Sequence, residues 1–178
     1  MRKTTTFALL ATALIALGCG AGSTDEAGST GADSDSAAKG EDKPAKTAKI
    51  GQAVRDGKFE FTVKSNKCGV AKVGTDLLGE KAQGQFCLVT LNVKNIGKEA
   101  QLLDGSSQKA YAADGTEYSS DTGAAIYANK NAETFLNEIN PGNQVTGVVV
   151  FDIPKNVKLA KLELHDSMFS GGVTVALS

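Results

Sequence analysis

From position 144 the chain reads QVTGVVVFDIP, and Val145, Gly147, Val149, Phe151 and Ile153 fall on one side of a two-residue repeat. Successive side chains of a strand point to opposite faces, so this spacing is what a strand with an apolar core face requires. Pro141-Gly142 ahead of it suits the middle of a type II turn. Pro154, which lacks an amide donor, ends it. The segment reads as the central strand of the domain.

The rest of the chain repeats this theme in shorter pieces. Phe86 to Lys94 (FCLVTLNVK) is a second strong strand, with Cys87, Val89, Leu91 and Val93 in phase. Phe59, Phe61 and Val63 alternate with Glu60, Thr62 and Lys64 after Asp56-Gly57, a hairpin signal. Cys68 follows that strand. Asp114-Gly115 turns another hairpin across 109–118, residues 101–104 read as a short edge strand, and 159–164 and 173–177 are two more strands parted by Gly171-Gly172. The stretches 74–85 and 119–134 read as loops. About eight short strands separated by turn residues are the pattern of a sandwich or barrel, and we favour an all-β antiparallel sandwich over residues 50–178. Such a length buries roughly two thirds of its unfolded surface, enough for one core without a metal.

The first 49 residues are different. Arg2 and Lys3 precede an apolar run over 7–17 that ends in small residues, as in a secretory signal peptide over 1–18. The run falls short of the roughly 20 apolar residues a permanent span needs. Ala16-Leu17-Gly18-Cys19 resembles the lipobox of bacterial lipoproteins, although most of these carry leucine three places before the cysteine. That resemblance implies cleavage before Cys19 and acylation of its thiol; two or three acyl chains anchor a protein stably where one does not. Cleavage after Ala21, releasing a soluble secreted protein, is the alternative. Residues 19–49 hold no aromatic residue and cannot bury enough to fold. They read as a disordered tether whose mean reach, from roughly 5–6 Å times the square root of chain length, is on the order of 30 Å.

The order of several pieces resembles the telokin-like domain of unknown function found in extracellular lipoproteins of Gram-positive bacteria, and is similar to the mycobacterial immunoprotective extracellular protein family. They are Asp56-Gly57-Lys58-Phe59-Glu60-Phe61, Gly84-Gln85-Phe86 leading into Val89 to Asn95, Asp114-Gly115-Thr116-Glu117-Tyr118, and Asn140-Pro141-Gly142 through Phe151-Asp152-Ile153-Pro154. The resemblance implies an immunoglobulin-like β-sandwich on a lipid-anchored tether. It implies no activity and transfers no catalytic residue.

Little in the residues points to chemistry. If lipid claims Cys19, Cys68 and Cys87 remain as an even pair in an exported chain, and a disulfide is the simplest outcome. Reactive thiols or half a zinc site are the alternatives, without a CxxC spacing to support them. His165 is the only histidine. Its phase with Lys161 and Glu163 makes it an exposed strand-end residue ahead of a catalytic base. Asp104, Asp114, Glu117 and Asp121 lie near turns but lack EF-hand spacing, and no pair of glycosidase carboxylates stands out. We expect no metal, no cofactor and no catalytic residue. Removing Arg2 and Lys3 with the leader leaves 17 basic residues against 20 acidic, a net charge of −3, which is no nucleic-acid footprint.

Two classes of function stay open: a non-enzymatic binding or scaffolding module on the outer face of the cell membrane, and a secreted enzyme or small-ligand carrier. One oddity bears on them. Phe86, Leu88, Val148 and Val150 lie on the supposed outer faces of the two strongest strands, where polar residues are expected. If those strands are neighbours, the four residues form one patch. Either the segment 119–136 covers it with Ile126, Tyr127, Phe135 and Leu136, or it is partly open and docks a protein, an envelope component or a second copy.

Overall fold

The computed structural model describes residues 47–131 and 134–177. The expected signal peptide, Cys19 and the expected tether as far as residue 46 lie outside the described residues.

Among the described residues nine strands form two facing sheets, which confirms the β-sandwich. One sheet has the order β2-β3-β4-β7, from β2 (Ala53–Asp56), β3 (Phe59–Gly74), β4 (Gly79–Asn95) and β7 (Gln144–Ile153). The other has the order β1-β9-β8-β5-β6, from β1 (Ala48–Lys49), β9 (Val173–Ala176), β8 (Leu159–Leu164), β5 (Lys109–Ala112) and β6 (Glu117–Ser119). All pairings are antiparallel except β1 with β9, which run parallel. Phe59, Phe61, Val63, Leu91, Val93, Phe151 and Ile153 meet Ala110, Leu159, Leu162, Leu164 and Val175 in the core between the sheets. Each large side chain buried there contributes about 1.5–3 kcal/mol.

Both Asp-Gly hairpins form where the sequence places them, pairing Asp56 with Phe59 and Tyr111 with Glu117. At Asn140 to Asn143 the Asn143 N–H donates to the Asn140 carbonyl at 3.0 Å and Gly142 has a φ of 79°. A type II turn requires that left-handed conformation at its third residue.

Several expectations need correcting. β7 is an edge strand that pairs only with β4, so β3 and β4 are the inner strands and the segment at 144–153 is not central. It reads as central because both of its faces are covered even though one edge has no strand beside it. The stretch 74–85 is no loop: only 75–78 turn, and Lys72–Lys81, Val73–Glu80 and Gly74–Gly79 are cross-strand pairs of a long hairpin. Cys68 therefore lies inside β3, in the bulge where register shifts between Lys67 and Val70. The polar run 64–67 hides this continuation, because the outer part of the hairpin has only one covered face. Residues 101–104 make a single bridge, Gln101 to Ile139, instead of a strand. Residues Thr122–Ala128, read as loop, are helix α1. No helix among the described residues is long and apolar enough to cross a membrane.

Candidate functional site

Helix α1 organises the site. The Asp121 side chain accepts from the Ala124 N–H at 2.8 Å, a standard N-cap, and the Asp121 N–H donates to the Val150 carbonyl at 2.7 Å on the open edge of β7. A helix of two turns does not persist by itself, so its packing against the sheet decides whether it exists. Ala124, Ala125 and Ala128 face the sheet, and with side chains this small the helix sits close on Val73, Phe86 and Val150, forming a second, smaller core.

This arrangement answers most of the question posed by the four outward apolar residues. β4 and β7 are neighbours, with Leu88 opposite Val150 and Phe86 opposite Asp152. Phe86 and Val150 are fully buried under α1, while Leu88 and Val148 are half-buried beside it. Two of the four are thus closed to any partner. The covering residues differ from those expected: the alanines do it, and Ile126 and Tyr127 point outward at 44% and 41% exposure. Phe135, half-buried, packs instead against the edge of the main core, where its ring lies so close to Gly147 that a Cβ there would come within 2.5 Å of it.

Because Ile126 points outward, it joins Leu102 and Leu136 around the mouth of a cavity of about 400 Å³ between α1 and the 102–106 segment. Leu102 and Leu136 are 53% and 62% exposed, and the interior is apolar, with Leu103, Ala125, Val148 and Val149 in the walls. Val148 carries the predicted patch into this groove. The polar groups at the rim are engaged locally: Ser120 Oγ donates to the Gly105 carbonyl at 2.6 Å, and Asp104 accepts from the hydroxyls of Ser106 and Ser107 at 2.6 Å each. Burial raises the Asp104 pKa, but these donors outweigh it and hold the carboxyl below its ordinary value. A carboxylate so held is a poor acid or base, and the groove offers shape and apolar contact.

His165 is not the exposed residue expected from its phase. Its side chain is 13% exposed, with Nε2 at 2.9 Å from Glu163 Oε1 and Nδ1 at 3.3 Å from Ser170 Oγ. This set of residue types resembles a hydrolytic triad, but the Ser170 hydroxyl donates to the Ser167 carbonyl at 3.0 Å within its own turn. The neighbouring hollow is lined by Lys109, Tyr111, Glu117 and Glu163 and not by Ser170. There Tyr111 Oη donates to Glu117 at 3.0 Å and Lys109 Nζ lies 3.0 Å from the same carboxylate. Burial, the Glu117 hydrogen bond and the nearby Glu163 and Glu117 charges push the Tyr111 pKa up to about 12. The hydrogen bond from Lys109, followed by that from Tyr111, holds the Glu117 carboxyl below its usual range.

Cys68 and Cys87 form a disulfide between adjacent strands, with Cα atoms 3.9 Å apart and Cys87 fully buried. Among the described residues no group of three or more His, Cys, Asp or Glu side chains is placed to hold a metal ion. Sequence reasoning missed Leu102 and Asn129, and it gave Ile126 and Leu136 the role of cover where the structure puts them at the rim of the groove. The available signal was an aspartate followed by an alanine-rich run ending in asparagine, a capped helix in miniature; isolated aliphatic residues in polar loops carry none.

Fold and site define a disulfide-linked β-sandwich with a helix strapped over one sheet and an apolar groove beside it. The family DUF4352, described as a domain of unknown function, matches residues 48–175, and the chain belongs to it. It is 33% identical over 117 residues to the uncharacterized protein YxkC of Bacillus subtilis, across 62% of this chain and 64% of that one, so it spans less than two thirds of that relative. Its fold is similar to the secreted protein MPT63 of Mycobacterium tuberculosis, with a TM-score of 0.51 and 19% identity over 70% of this chain and 92% of MPT63. It is also similar to the yjhA protein of B. subtilis, with a TM-score of 0.53 and 15% identity over 74% of this chain and all of that one.

Proposed function

We propose that this protein is a lipid-anchored, non-enzymatic binding module on the outer face of the cell membrane, and that the groove beside α1 seats apolar side chains of a protein partner in the cell envelope. The observation that carries the binding reading is the coincidence of an apolar cavity of about 400 Å³ with three exposed aliphatic residues, Leu102, Ile126 and Leu136, around its mouth. Exposed apolar residues scattered singly need no explanation, whereas three around one cavity mark an interaction site. The rim aspartate is held ionised by its own serines, which favours binding over acid-base chemistry.

The location rests on the leader and lipobox-like run ending at Cys19, and on a disulfide, which persists in oxidising compartments. MPT63 is itself described as secreted. Binding is tested with the dye 8-anilinonaphthalene-1-sulfonate as an apolar probe of the full chain. Its fluorescence should rise with the native protein and be lost in Leu136→Asp and Ile126→Glu without a change in melting. Equal fluorescence in all three would remove the groove as a site. For the anchor, Cys19→Ala should leave precursor unprocessed or release the protein, and native protein beginning at Gly22 would refute lipidation.

A further inference from the structure

The loop between β8 and β9 presents two large apolar side chains to solvent, Met168 at 69% and Phe169 at 91% exposure. They occupy the two middle positions of a turn closed by the Ser170 N–H donating to the Ser167 carbonyl at 3.1 Å. The base of the loop is firmly held. The Asp166 N–H donates to Asp56 Oδ2 at 2.6 Å, the Lys58 N–H donates to Asp166 Oδ2 at 3.2 Å, and Gln108 bonds both backbone groups of His165. These bonds fix the base of the loop, and from it the turn carries Met168 and Phe169 outward.

The strand register says which way this tip faces. Asp166 is bound to the turn 56–58, so the tip lies at the end of the sandwich where β3 begins. β9 starts from that same end at Val173 and runs away from it. β1 lies parallel to β9 with Ala48 opposite Val175, so β1 also runs away from that end. The other exposed apolar tip, Leu77 and Leu78 at 95% and 70% exposure, closes the β3–β4 hairpin at the opposite end.

We infer that Met168 and Phe169 insert into the lipid surface to which the chain is attached, docking this end of the sandwich on the bilayer. The inference rests on the anchor reading proposed above, because attachment through residue 19 puts the tip within tether reach of lipid. An anchored domain meets the surface at high effective concentration, so two side chains suffice where a free domain would need more. Phenylalanine and methionine on an exposed turn suit the boundary between headgroups and acyl chains. Charge supplies no attraction to anionic headgroups: Lys58 and Lys98, beside the 56–58 turn, are outnumbered by Asp56, Glu99 and Asp166. Neutral lipid should therefore serve at least as well as anionic lipid.

The chain contains no tryptophan, so Phe169→Trp and Leu77→Trp each install a single reporter on an exposed tip. The processed full-length variants are reconstituted into vesicles of phosphatidylcholine, alone or with phosphatidylglycerol, and floated on a density gradient. Both variants should float. The indole emission of the Phe169→Trp variant should shift to the blue and be quenched by brominated acyl chains, while that of the Leu77→Trp variant stays solvent-like. Adding Met168→Asp to the Phe169→Trp chain should abolish the shift. Failure to float would overturn the anchor and the docking with it. Flotation with unshifted emission from the Phe169→Trp variant, or a shift only in the presence of a second protein or at high chain concentration, would overturn the docking inference while leaving the anchor intact.

Discussion

The side-chain amide of Asn129 pairs with both backbone groups of Val148, accepting its N–H at 2.7 Å and donating to its carbonyl at 2.9 Å. A third bond runs from Nδ2 to the Ala125 carbonyl at 2.8 Å, so one side chain closes α1 and occupies the β7 edge where another strand would add. An unpaired edge is a template for association. Asn129→Ala should cost about 1–3 kcal/mol by leaving these groups without their partner. Asn129→Asp should cost more, since it sets a carboxylate against the Val148 carbonyl. Urea denaturation checks the first, and size-exclusion chromatography should show self-association of the alanine variant that native protein lacks.

The disulfide offers a second measurement. It closes a segment of sequence separation 19, for which the loop-entropy argument gives about 3 kcal/mol. Intact mass should fall by two hydrogens relative to reduced protein, with no free thiol at Cys68 or Cys87 in the folded chain. Reduction, or replacement of both by serine, should lower stability by about 2–5 kcal/mol.

Tyr111 should report its carboxylate neighbours in an alkaline titration. With its pKa pushed from 10.0 to about 12, the folded state keeps the phenolic proton longer than the unfolded state does. The contribution to stability is therefore complete below pH 10.0 and is lost as pH rises through the folded value. Absorbance at the phenolate band should show Tyr111 ionising late. Glu117→Gln should bring that transition down towards its ordinary value, because it removes a charge and weakens a hydrogen-bond acceptor.

Which parts of this molecule were legible depends on how many faces each segment buries. Phe59 to Val63, Phe86 to Lys94 and 145–153 were readable because one face packs into the main core and imposes a period of two. Gly142 was readable because the left-handed third position of its turn strongly favours glycine. Beyond Cys68 the long hairpin was not, since apart from Val73 its positions alternate between half-buried and exposed, with Lys, Glu, Gln and Gly mixed among small Val and Ala side chains. The edge position of β7 was hidden for another reason: α1 covers its outer face and Asn129 its edge, so its composition matches an inner strand. Apolar residues on both faces of β4 and β7 did announce a cover, but a cover made of alanines could not be told from a loop. The groove depends on where Ile126 points once those alanines are down, which is a tertiary fact.

Phe86 tests that cover directly. It is fully buried on the outer face of the sheet, against Val73, Ala124 and Val150, and has no part in the core between the sheets. Truncation to alanine should cost about 3–5 kcal/mol, the range for a buried aromatic whose cavity does not collapse. The loss should be uneven. Without Phe86 the alanine face of α1 has little to rest on, and a helix this short has no stability of its own. Hydrogen exchange should therefore accelerate first at the amides of α1, while Leu162 and Val175 in the other sheet keep their protection until global unfolding. Uniform acceleration across both sheets would mean that the second core is not a separable unit.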